Sequence, residues 1–365
     1  MSQRSADERI QALKDAGVEL LSYSKMSTIN SCLYSAWRTY ILHDRGSDNC
    51  YSWAGTVCHD SLELLENDKI TETDLLPRFE AGIAEMDELG LEFPKDFRGT
   101  DGIRQRYIAD IRHFCKTYYR PKGKFTTEEL LIYQVNDKLA IRGYADLLRW
   151  GDENDVTVLD YKTSSNYAEK DLIEHGRQLT IYGMALEQAG YKVRSTAWIM
   201  LKYVEIRYIW YPTIRSRTKK ECTRIVNRSK IYDTIAPAVE SACRDAGMDE
   251  ADIEFAMLDF KQTNILGDRF PSSVRNQFSI KPYVRNYPYT DELKQEALDY
   301  INKTAILYGS LPHDKEHPWE PCKITKENSF FCNNLCSHRK SCQYIRDYNA
   351  QALIADPPKT EADLF

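Results

Sequence analysis

Two aspartates and one lysine are the residues of this chain whose types and spacing are best suited to catalysis. They lie in the strings Gly143-x-x-Asp146 and Asp160-x-Lys162, on two short segments rich in strand-forming residues. Because side chains alternate along a strand, Asp160 and Lys162 point to the same face. Two neighbouring carboxylates repel each other unless a cation lies between them. The set therefore predicts a divalent-metal site for phosphodiester hydrolysis.

A hairpin would bring these residues together. The two segments, residues 141–150 and 156–162, are separated by the polar run Gly151–Asp155, whose composition is typical of a turn. Folding the chain about Glu153 places the two aspartates opposite each other. The alternative is a surface hairpin that carries ordinary solvated charges.

The elements around this hairpin indicate an α/β fold. Before it, the apolar pattern predicts helices over residues 5–17, 26–43, 52–67, 72–89 and 102–119. A strand is predicted over 128–135, and the hairpin strands over 139–150 and 156–162. Then follow a helix over 169–189, strands over 195–203 and 205–212, and helices over 221–243 and 291–309. Residues 248–288 show no clear period. This order favours a mixed sheet with the hairpin near its centre.

Polar residues on two of the predicted helices extend the candidate site. His59 and Glu63 are four residues apart and share a helical face. Imidazole suits Mn²⁺ well and Mg²⁺ less well, although a helical histidine is more often structural. Gln178 and Tyr182 also share a face and could hold a nucleotide or phosphate. The alternative for that pair is a solvent-facing amide and a core phenol.

A group of cysteines near the C-terminus indicates a second metal centre. Three thiols lie within eleven residues: Cys332, Cys336 and Cys342. In a reducing compartment such a group favours a metal over disulfides. A tetrahedral site needs a fourth thiol, and Cys322 is close in sequence whereas Cys32 is distant. Spacing does not distinguish zinc from an iron–sulfur cluster, and His338 is a further ligand candidate for zinc.

The separated motifs together resemble the PD-(D/E)xK superfamily nucleases of the RecB type. The chain is most similar to the branch with an iron–sulfur cluster, which includes the CRISPR-adaptation exonucleases and the AddB helicase-nuclease subunit. The strings that carry the resemblance are Gly55-x-x-x-His59, Gly143-x-x-Asp146, Asp160-Tyr161-Lys162 and Gln178-x-x-x-Tyr182. The resemblance implies a restriction-endonuclease-like core, with a central mixed β-sheet flanked by helices. It also implies a helical N-terminal region and a cysteine-ligated C-terminal region.

Site roles follow from this resemblance. The family's metal ligands would be His59, Asp146, Asp160 and the carbonyl of Tyr161, with Mg²⁺ or Mn²⁺ bound. Lys162 would orient or deprotonate the attacking water and stabilise charge on the phosphate. Gln178 and Tyr182 would position the strand. The family's upstream acid would fall on Glu129 or Glu128, with Glu129 as the residue we assign.

The resemblance also supplies a ligand set for the cysteine centre. It would be a structural [4Fe–4S] cluster, with zinc as the alternative. One N-terminal and three C-terminal thiols would pin the two ends of the nuclease domain together. These ligands would be Cys32, Cys332, Cys336 and Cys342.

Five regions are predicted along the chain. Residues 1–125 form the helical N-terminal part and residues 126–215 form the catalytic core. Residues 216–320 form a helical insertion or connector, residues 321–350 form the cysteine region, and residues 351–365 form a disordered tail.

Composition limits the partners of the protein. The net charge of −6 argues against a basic coat over the whole surface, so a narrow channel for single strands or ends fits better. The basic run at residues 215–220 could line that channel, or it could be a solvated linker. We expect no membrane span and no secretory signal, which predicts a cytoplasmic protein. The resemblance to these nucleases implies a bacterial or phage origin.

The expected function is metal-dependent cleavage of DNA. An exonuclease on single-stranded or end-containing DNA, in recombination, repair or replication, is the first interpretation. A structure-directed endonuclease or nickase beside a helicase, and a non-cleaving DNA-binding scaffold, are the alternatives. The tip Asp363-Leu364-Phe365 resembles tails that bind a sliding clamp, or those of single-strand-binding proteins.

Overall fold

The computed structural model of the chain describes residues 3–120, 122–152, 154–210 and 220–355. The helices are α1 (Gln3–Asp15), α2 (Tyr23–Ser31), α3 (Leu33–Tyr40), α4 (Cys50–Glu66), α5 (Leu75–Glu88), α6 (Gly102–Thr117), α7 (Leu172–Gln188), α8 (Ile231–Asp245), α9 (Glu250–Thr263), α10 (Ser272–Arg275), α11 (Asp291–Gly309), α12 (Lys326–Phe330) and α13 (Gln343–Ala355). The strands are β1 (Glu19–Ser22), β2 (Lys124–Asn136), β3 (Leu139–Trp150), β4 (Asp155–Lys162), β5 (Lys192–Trp210), β6 (Lys220–Asn227) and β7 (Phe278–Tyr287).

These strands form one mixed sheet. β3 pairs in antiparallel orientation with β2 and β4 and in parallel orientation with β1. β5 runs parallel to β4, and β6 and β7 both pair with β5 in antiparallel orientation. Helices cover both faces of the sheet. The predicted fold class, a restriction-endonuclease-like core with a central mixed sheet flanked by helices, is confirmed.

The two faces of the sheet bury separate apolar groups. On one face, α4, α5 and α6 pack residues such as Leu62, Phe79 and Ile111 against Leu147 and Leu201 of the strands. On the other face, α7 packs against β4 and β5; the residues in contact there include Leu179, Leu186, Val156, Val158 and Trp198. Burying both faces fixes the register of the strands, because a slip of one residue would turn each apolar side chain to the wrong face.

The predicted hairpin register is confirmed by the pairing of β3 with β4. Leu147 pairs with Leu159 and Trp150 pairs with Val156, which is the alignment that places residue 146 opposite residue 160. Glu153, about which we expected the chain to turn, lies outside the described residues.

The edge of β3 is open where the first aspartate lies. β2 pairs along one edge of β3. Along the other edge of β3, the pairing with β1 ends at Arg142, and the pairing with β4 begins only at Leu147. Residues 143–146, which carry the Gly143-x-x-Asp146 string, therefore face a gap between two strands. Such gaps are where α/β sheets commonly form their sites.

Residues 192–210 form a single strand, although we predicted two strands with a break at Val204. Tyr203-Val204-Glu205 contains no turn-forming residue, so nothing interrupts the extended backbone. The interruption falls instead in the pairing with β7, because Met200 pairs with Tyr283 whereas Val204 pairs with Pro282. β5 thereby bulges and carries the sheet onward to β6.

Other elements differ from their predicted bounds. The helix predicted over residues 26–43 is divided into α2 and α3 by Cys32, which has an extended backbone with φ −160° and ψ 109°. The start of the helix predicted over 221–243 is instead strand β6, held by its ladder with β5.

The connector and the tail also contain structure that the sequence did not indicate. The connector over 216–320 contains strands β6 and β7 besides its helices. Of the predicted tail, residues 351–355 belong to α13, and the remainder lies outside the described residues. Among the helices that the structure describes, none combines the length and apolar character needed to cross a bilayer.

Candidate active site and thiol pocket

Side chains from α4, β3 and β4 converge beside the open edge of β3. Nδ1 of His59 lies 3.3 Å from Oδ2 of Asp146. Nζ of Lys162 lies 2.7 Å from Oδ2 of Asp160. The backbone N–H of Tyr161 donates to Oδ2 of Asp146 at 3.0 Å, which ties the two strands together beyond their last ladder pair. The structure thus brings together residues that are about a hundred positions apart in the sequence.

Burial and neighbouring charges set the ionisation of this group. Burial alone would raise the pKa of Asp146, but the hydrogen bond from His59, with Lys162 and the Tyr161 amide, lowers it below its ordinary value. Burial raises the pKa of Asp160 to about 6, against the opposing effect of Lys162. Burial disfavours the charged form of His59, yet Asp146 raises its pKa. One carboxylate is therefore held ionised while the other is destabilised as an anion.

Asp160 carries the clearest sign that a cation belongs at this site. Its side chain is 3 % exposed, and Oδ2 receives no hydrogen bond. Nζ of Lys162, 2.7 Å away, supplies the positive charge that compensates this oxygen. A buried carboxylate oxygen is costly unless a cation pairs with it, and a divalent ion bound here would take over that role. The donor types, imidazole and carboxylate, fit Mn²⁺ and Mg²⁺.

The side chains do not yet surround a metal ion. Within the described ranges, no group of three or more His, Cys, Asp or Glu side chains is arranged so that it could hold one as it stands.

Glu128 joins this group from β2. It has a positive φ of 47°, and it lies between Thr127, which pairs with Leu147, and Glu129, which pairs with Ala145. Partial desolvation, together with the nearby carboxylates of Asp146 and Glu63, raises the pKa of Glu128 to about 7, although its side chain keeps an exposed part. Of the two candidates for the upstream acid, Glu128 is thus within electrostatic range of the aspartate. Glu129, which we assigned from the sequence, remains the other candidate.

Gln178 and Tyr182 contact each other on α7. Nε2 of Gln178 donates to the Tyr182 hydroxyl at 3.0 Å, and the tyrosine ring is 6 % exposed. The ring also packs on Gly143, where an added Cβ would lie 2.5 Å from a ring carbon. The glycine of the Gly143-x-x-Asp146 string therefore makes room for Tyr182. Through that hydroxyl, the buried tyrosine orients Gln178.

The four predicted cluster thiols, those of Cys32, Cys332, Cys336 and Cys342, line one pocket of about 940 Å³. The thiol of Cys322 lines the same pocket. Cys32 reaches the pocket because it sits at the break between α2 and α3. Burial raises the pKa of Cys322 to about 12, and the adjacent thiols of Cys32 and Cys332 add to the shift. Five thiols are present where the sequence indicated four.

His338 also lines the thiol pocket. Its ring is 1 % exposed, Nε2 is 3.0 Å from the Thr39 hydroxyl, and the buried Nδ1 has no hydrogen-bond partner. Gly46, with φ +71°, lies so close to this segment that an added Cβ would lie 2.4 Å from the carbonyl oxygen of Ser337. His338 thus packs between two chain segments and keeps its place as a candidate ligand for zinc.

Asn49 is a positioning residue that sequence reasoning missed. It caps α4, since its side-chain oxygen accepts from the N–H groups of Tyr51 and Ser52. Its Nδ2 donates to the carbonyl oxygen of Leu335 at 2.8 Å. The helix that carries His59 is thereby attached to the segment that carries the C-terminal thiols. An Asn with a Ser three residues later is a capping signal that could have marked the helix start.

Two of the predicted regions fall where the structure makes no statement. The basic run, apart from Lys220 at the start of β6, and the tip Asp363-Leu364-Phe365 lie outside the described residues.

Comparison with known proteins identifies the family. A sequence profile of the PD-(D/E)XK nuclease superfamily matches residues 20–343, which include the open edge of β3 and the thiol pocket. No curated protein is similar enough in sequence to be matched to this chain. The profile spans most of the chain, and the sheet has the expected architecture. The chain therefore belongs to the PD-(D/E)XK nuclease superfamily.

Proposed function

We propose that the protein is a Mg²⁺- or Mn²⁺-dependent deoxyribonuclease of the RecB type. Its substrate would be single-stranded DNA or DNA with free ends, and it would act as an exonuclease in recombination, repair or replication. The observation that carries the proposal is the convergence of four side chains beside the open edge of β3: those of His59, Asp146, Asp160 and Lys162. Membership of a nuclease superfamily supports the reaction class.

The residues have separate roles in this proposal. His59, Asp146, Asp160 and the Tyr161 carbonyl would hold the divalent ion. When bound, the ion supplies Lewis acidity for the scissile phosphate and the attacking water. Lys162 would orient the water and stabilise negative charge on the phosphate.

Neighbouring residues would complete the site. Glu128, whose pKa of about 7 follows from burial and nearby carboxylates, would hold a proton close to neutral pH. Gln178, held by Tyr182, would donate to the DNA strand.

We further propose that the thiol pocket holds a structural [4Fe–4S] cluster through Cys32, Cys332, Cys336 and Cys342. Support comes from the gathering of these thiols, from opposite ends of the chain, around one pocket. Zinc is the alternative. Metal analysis of anaerobically purified protein decides between them. Iron and acid-labile sulfide near four per chain, with broad visible absorption, support the cluster, whereas colourless protein with one zinc contradicts it.

Cleavage assays on matched substrates test the nuclease proposal. Linear single-stranded, linear double-stranded and circular single-stranded DNA should be compared with Mg²⁺, Mn²⁺ or EDTA. The proposal predicts that linear DNA is degraded with either metal and that EDTA abolishes cleavage, while the circle survives. Rapid cutting of the circle would favour the structure-directed endonuclease or nickase that acts with a helicase. Binding without cleavage under every condition would favour the non-cleaving scaffold.

A separate binding measurement tests the proposed partners of the tail. A sliding clamp or a single-strand-binding protein should bind the full chain, and deletion of Asp363–Phe365 should abolish that binding while leaving cleavage intact. Absence of binding by the full chain would end that proposal.

A further inference from the structure

We propose that Cys32 and Cys322 are interchangeable ligands, either of which can complete the metal centre formed by the three C-terminal thiols. The inference rests on the proposed metal centre and adds a fifth thiol to it. A tetrathiolate site accepts four sulfur ligands, whether it holds zinc or a four-iron cluster. Once Cys332, Cys336 and Cys342 are bound, two thiols compete for the one remaining position.

Contacts place Cys322 beside both Cys32 and Cys332. The backbone N–H of Cys322 donates to Sγ of Cys32 at 3.5 Å. The Cys322 thiol also neighbours the thiols of both Cys32 and Cys332. A sulfur that already lies between two ligands needs only a short movement to coordinate the same metal.

The backbones of the two residues differ in how firmly they are held. Cys32 lies at the junction of α2 and α3, and its N–H donates to the carbonyl oxygen of Thr28. Cys322 lies between α11 and α12 in a stretch without regular secondary structure. That stretch is attached nearby through the N–H of Tyr34, which donates to the carbonyl oxygen of Glu320 at 3.2 Å. The backbone of Cys322 is therefore less constrained than that of Cys32, although its stretch is held beside α3.

The other thiols of the chain are not part of this competition. Cys50, Cys58, Cys115 and Cys243 are buried, and the first three belong to the apolar core on the α4 face of the sheet. Cys222 is half-buried on β6, where it packs against a separate apolar cluster, and it is not among the described residues that line the pocket. It therefore serves as the control residue.

Metal content of cysteine variants tests the proposal without depending on activity. Iron, zinc and acid-labile sulfide should be measured in Cys32→Ala, Cys322→Ala, the double variant and the control Cys222→Ala. Each single variant of the pair should retain more than about half of the wild-type metal, and the double variant should retain less than about a tenth. Cys222→Ala should behave as the wild type does.

Three outcomes would overturn the inference. Loss of metal in Cys32→Ala alone would make Cys32 the sole fourth ligand, and loss in Cys322→Ala alone would make Cys322 the sole one. Full metal content in the double variant would show that neither residue is needed. A metal-free wild-type protein would instead refute the proposed centre itself, and the inference would fail with it.

A second measurement uses the unmodified protein, in case a variant does not fold. Native metal-loaded protein is alkylated with iodoacetamide, and the cysteine peptides are quantified by mass spectrometry. Interchangeable ligands predict partial labelling of both Cys32 and Cys322, with the two adding to about one label per chain, because bound thiolates are protected. Complete labelling of one residue and complete protection of the other would contradict the proposal.

Discussion

The carboxylates of the candidate site differ in what surrounds them, and this difference gives them separate chemical roles. Asp146 accepts a backbone N–H and contacts His59, so its anion is well stabilised. Asp160 is more deeply buried, and its Oδ2 forms an ion pair with Lys162. A divalent ion would therefore relieve Asp160 most.

Glu128 provides a prediction about the upstream acid. Because its carboxyl lies within electrostatic range of Asp146 and His59, Glu128→Gln should lower the cleavage rate about 100-fold. Glu129→Gln is the matched control, and it should change the rate less than about threefold. The measurement is the initial rate on a labelled linear strand. A greater loss in Glu129→Gln would return the role to the residue we assigned from the sequence.

Gly143 provides a prediction about packing. Gly143→Ala would place a methyl group against the buried Tyr182 ring, and overpacking of this kind costs about 1–3 kcal/mol. Gly309→Ala is the matched control, since nothing lies within 4 Å of the added Cβ. Urea unfolding should show the loss in the first variant only. Equal stability of both variants would mean that the Tyr182 ring does not lie against Gly143.

At the scale of elements, sequence patterns predicted what depends on local periodicity. The hairpin register followed from alternation and a polar turn, and pairing of Leu147 with Leu159 confirms it. The break at Cys32 and the strand β6 could not be predicted in this way. No glycine or proline lies within residues 23–40, so nothing local marks the break at Cys32. β6 is extended because its backbone pairs with β5. Tertiary pairing there decides against local propensity.

A buried histidine on α6 gives the fold a pH dependence. Nε2 of His113 lies 3.0 Å from the carbonyl oxygen of Asn264 and donates to it, while Nη1 of Arg228 lies 3.5 Å from Nδ1. Burial, with the charge of Arg228, lowers the pKa of His113 to about 4. Above an unfolded-state pKa of about 6.5 both states are neutral there, and stability is complete. As the pH falls from about 6.5 toward 4, only the unfolded chain gains the proton, and stability is lost.

The corresponding experiment compares unfolding across pH. Between pH ~7 and ~4.5, the free energy of unfolding of the wild type should fall by up to about 3 kcal/mol more than that of His113→Gln. His317→Gln, at a histidine whose side chain is 71 % exposed, should follow the wild type. Parallel curves for the wild type and His113→Gln would show that His113 does not titrate differently in the two states.

At the scale of the whole molecule, the thiol pocket and the active site share a support. Residues around α4 are attached to the C-terminal segment by several hydrogen bonds. Nδ2 of Asn49 donates to Leu335, the N–H of Ser47 donates to Ser337, and Arg339 donates to the carbonyl oxygen of Ser47. A metal in the pocket would fix the same segment, and so would steady the helix that carries His59.

Removal of one cluster thiol should therefore loosen the fold. A metal that joins Cys32 to the C-terminal thiols closes a loop of about 300 residues, which is worth up to about 6 kcal/mol from loop entropy. Cys336→Ser should lose the metal and unfold at a clearly lower temperature, whereas Cys222→Ser should match the wild type. Differential scanning calorimetry with metal analysis makes this comparison. Unchanged melting after metal loss would show that the hydrogen bonds alone hold the two ends.

The central claim is that Asp160 and Lys162 perform metal-dependent cleavage of DNA. The most direct test is the cleavage rate of Asp160→Asn and Lys162→Ala with Mn²⁺, beside the controls Asp155→Asn on the same strand and the exposed Lys192→Ala. We predict a loss of at least about 100-fold for the first pair and less than about threefold for the controls. Continued cleavage by both Asp160→Asn and Lys162→Ala would contradict the assignment of the site.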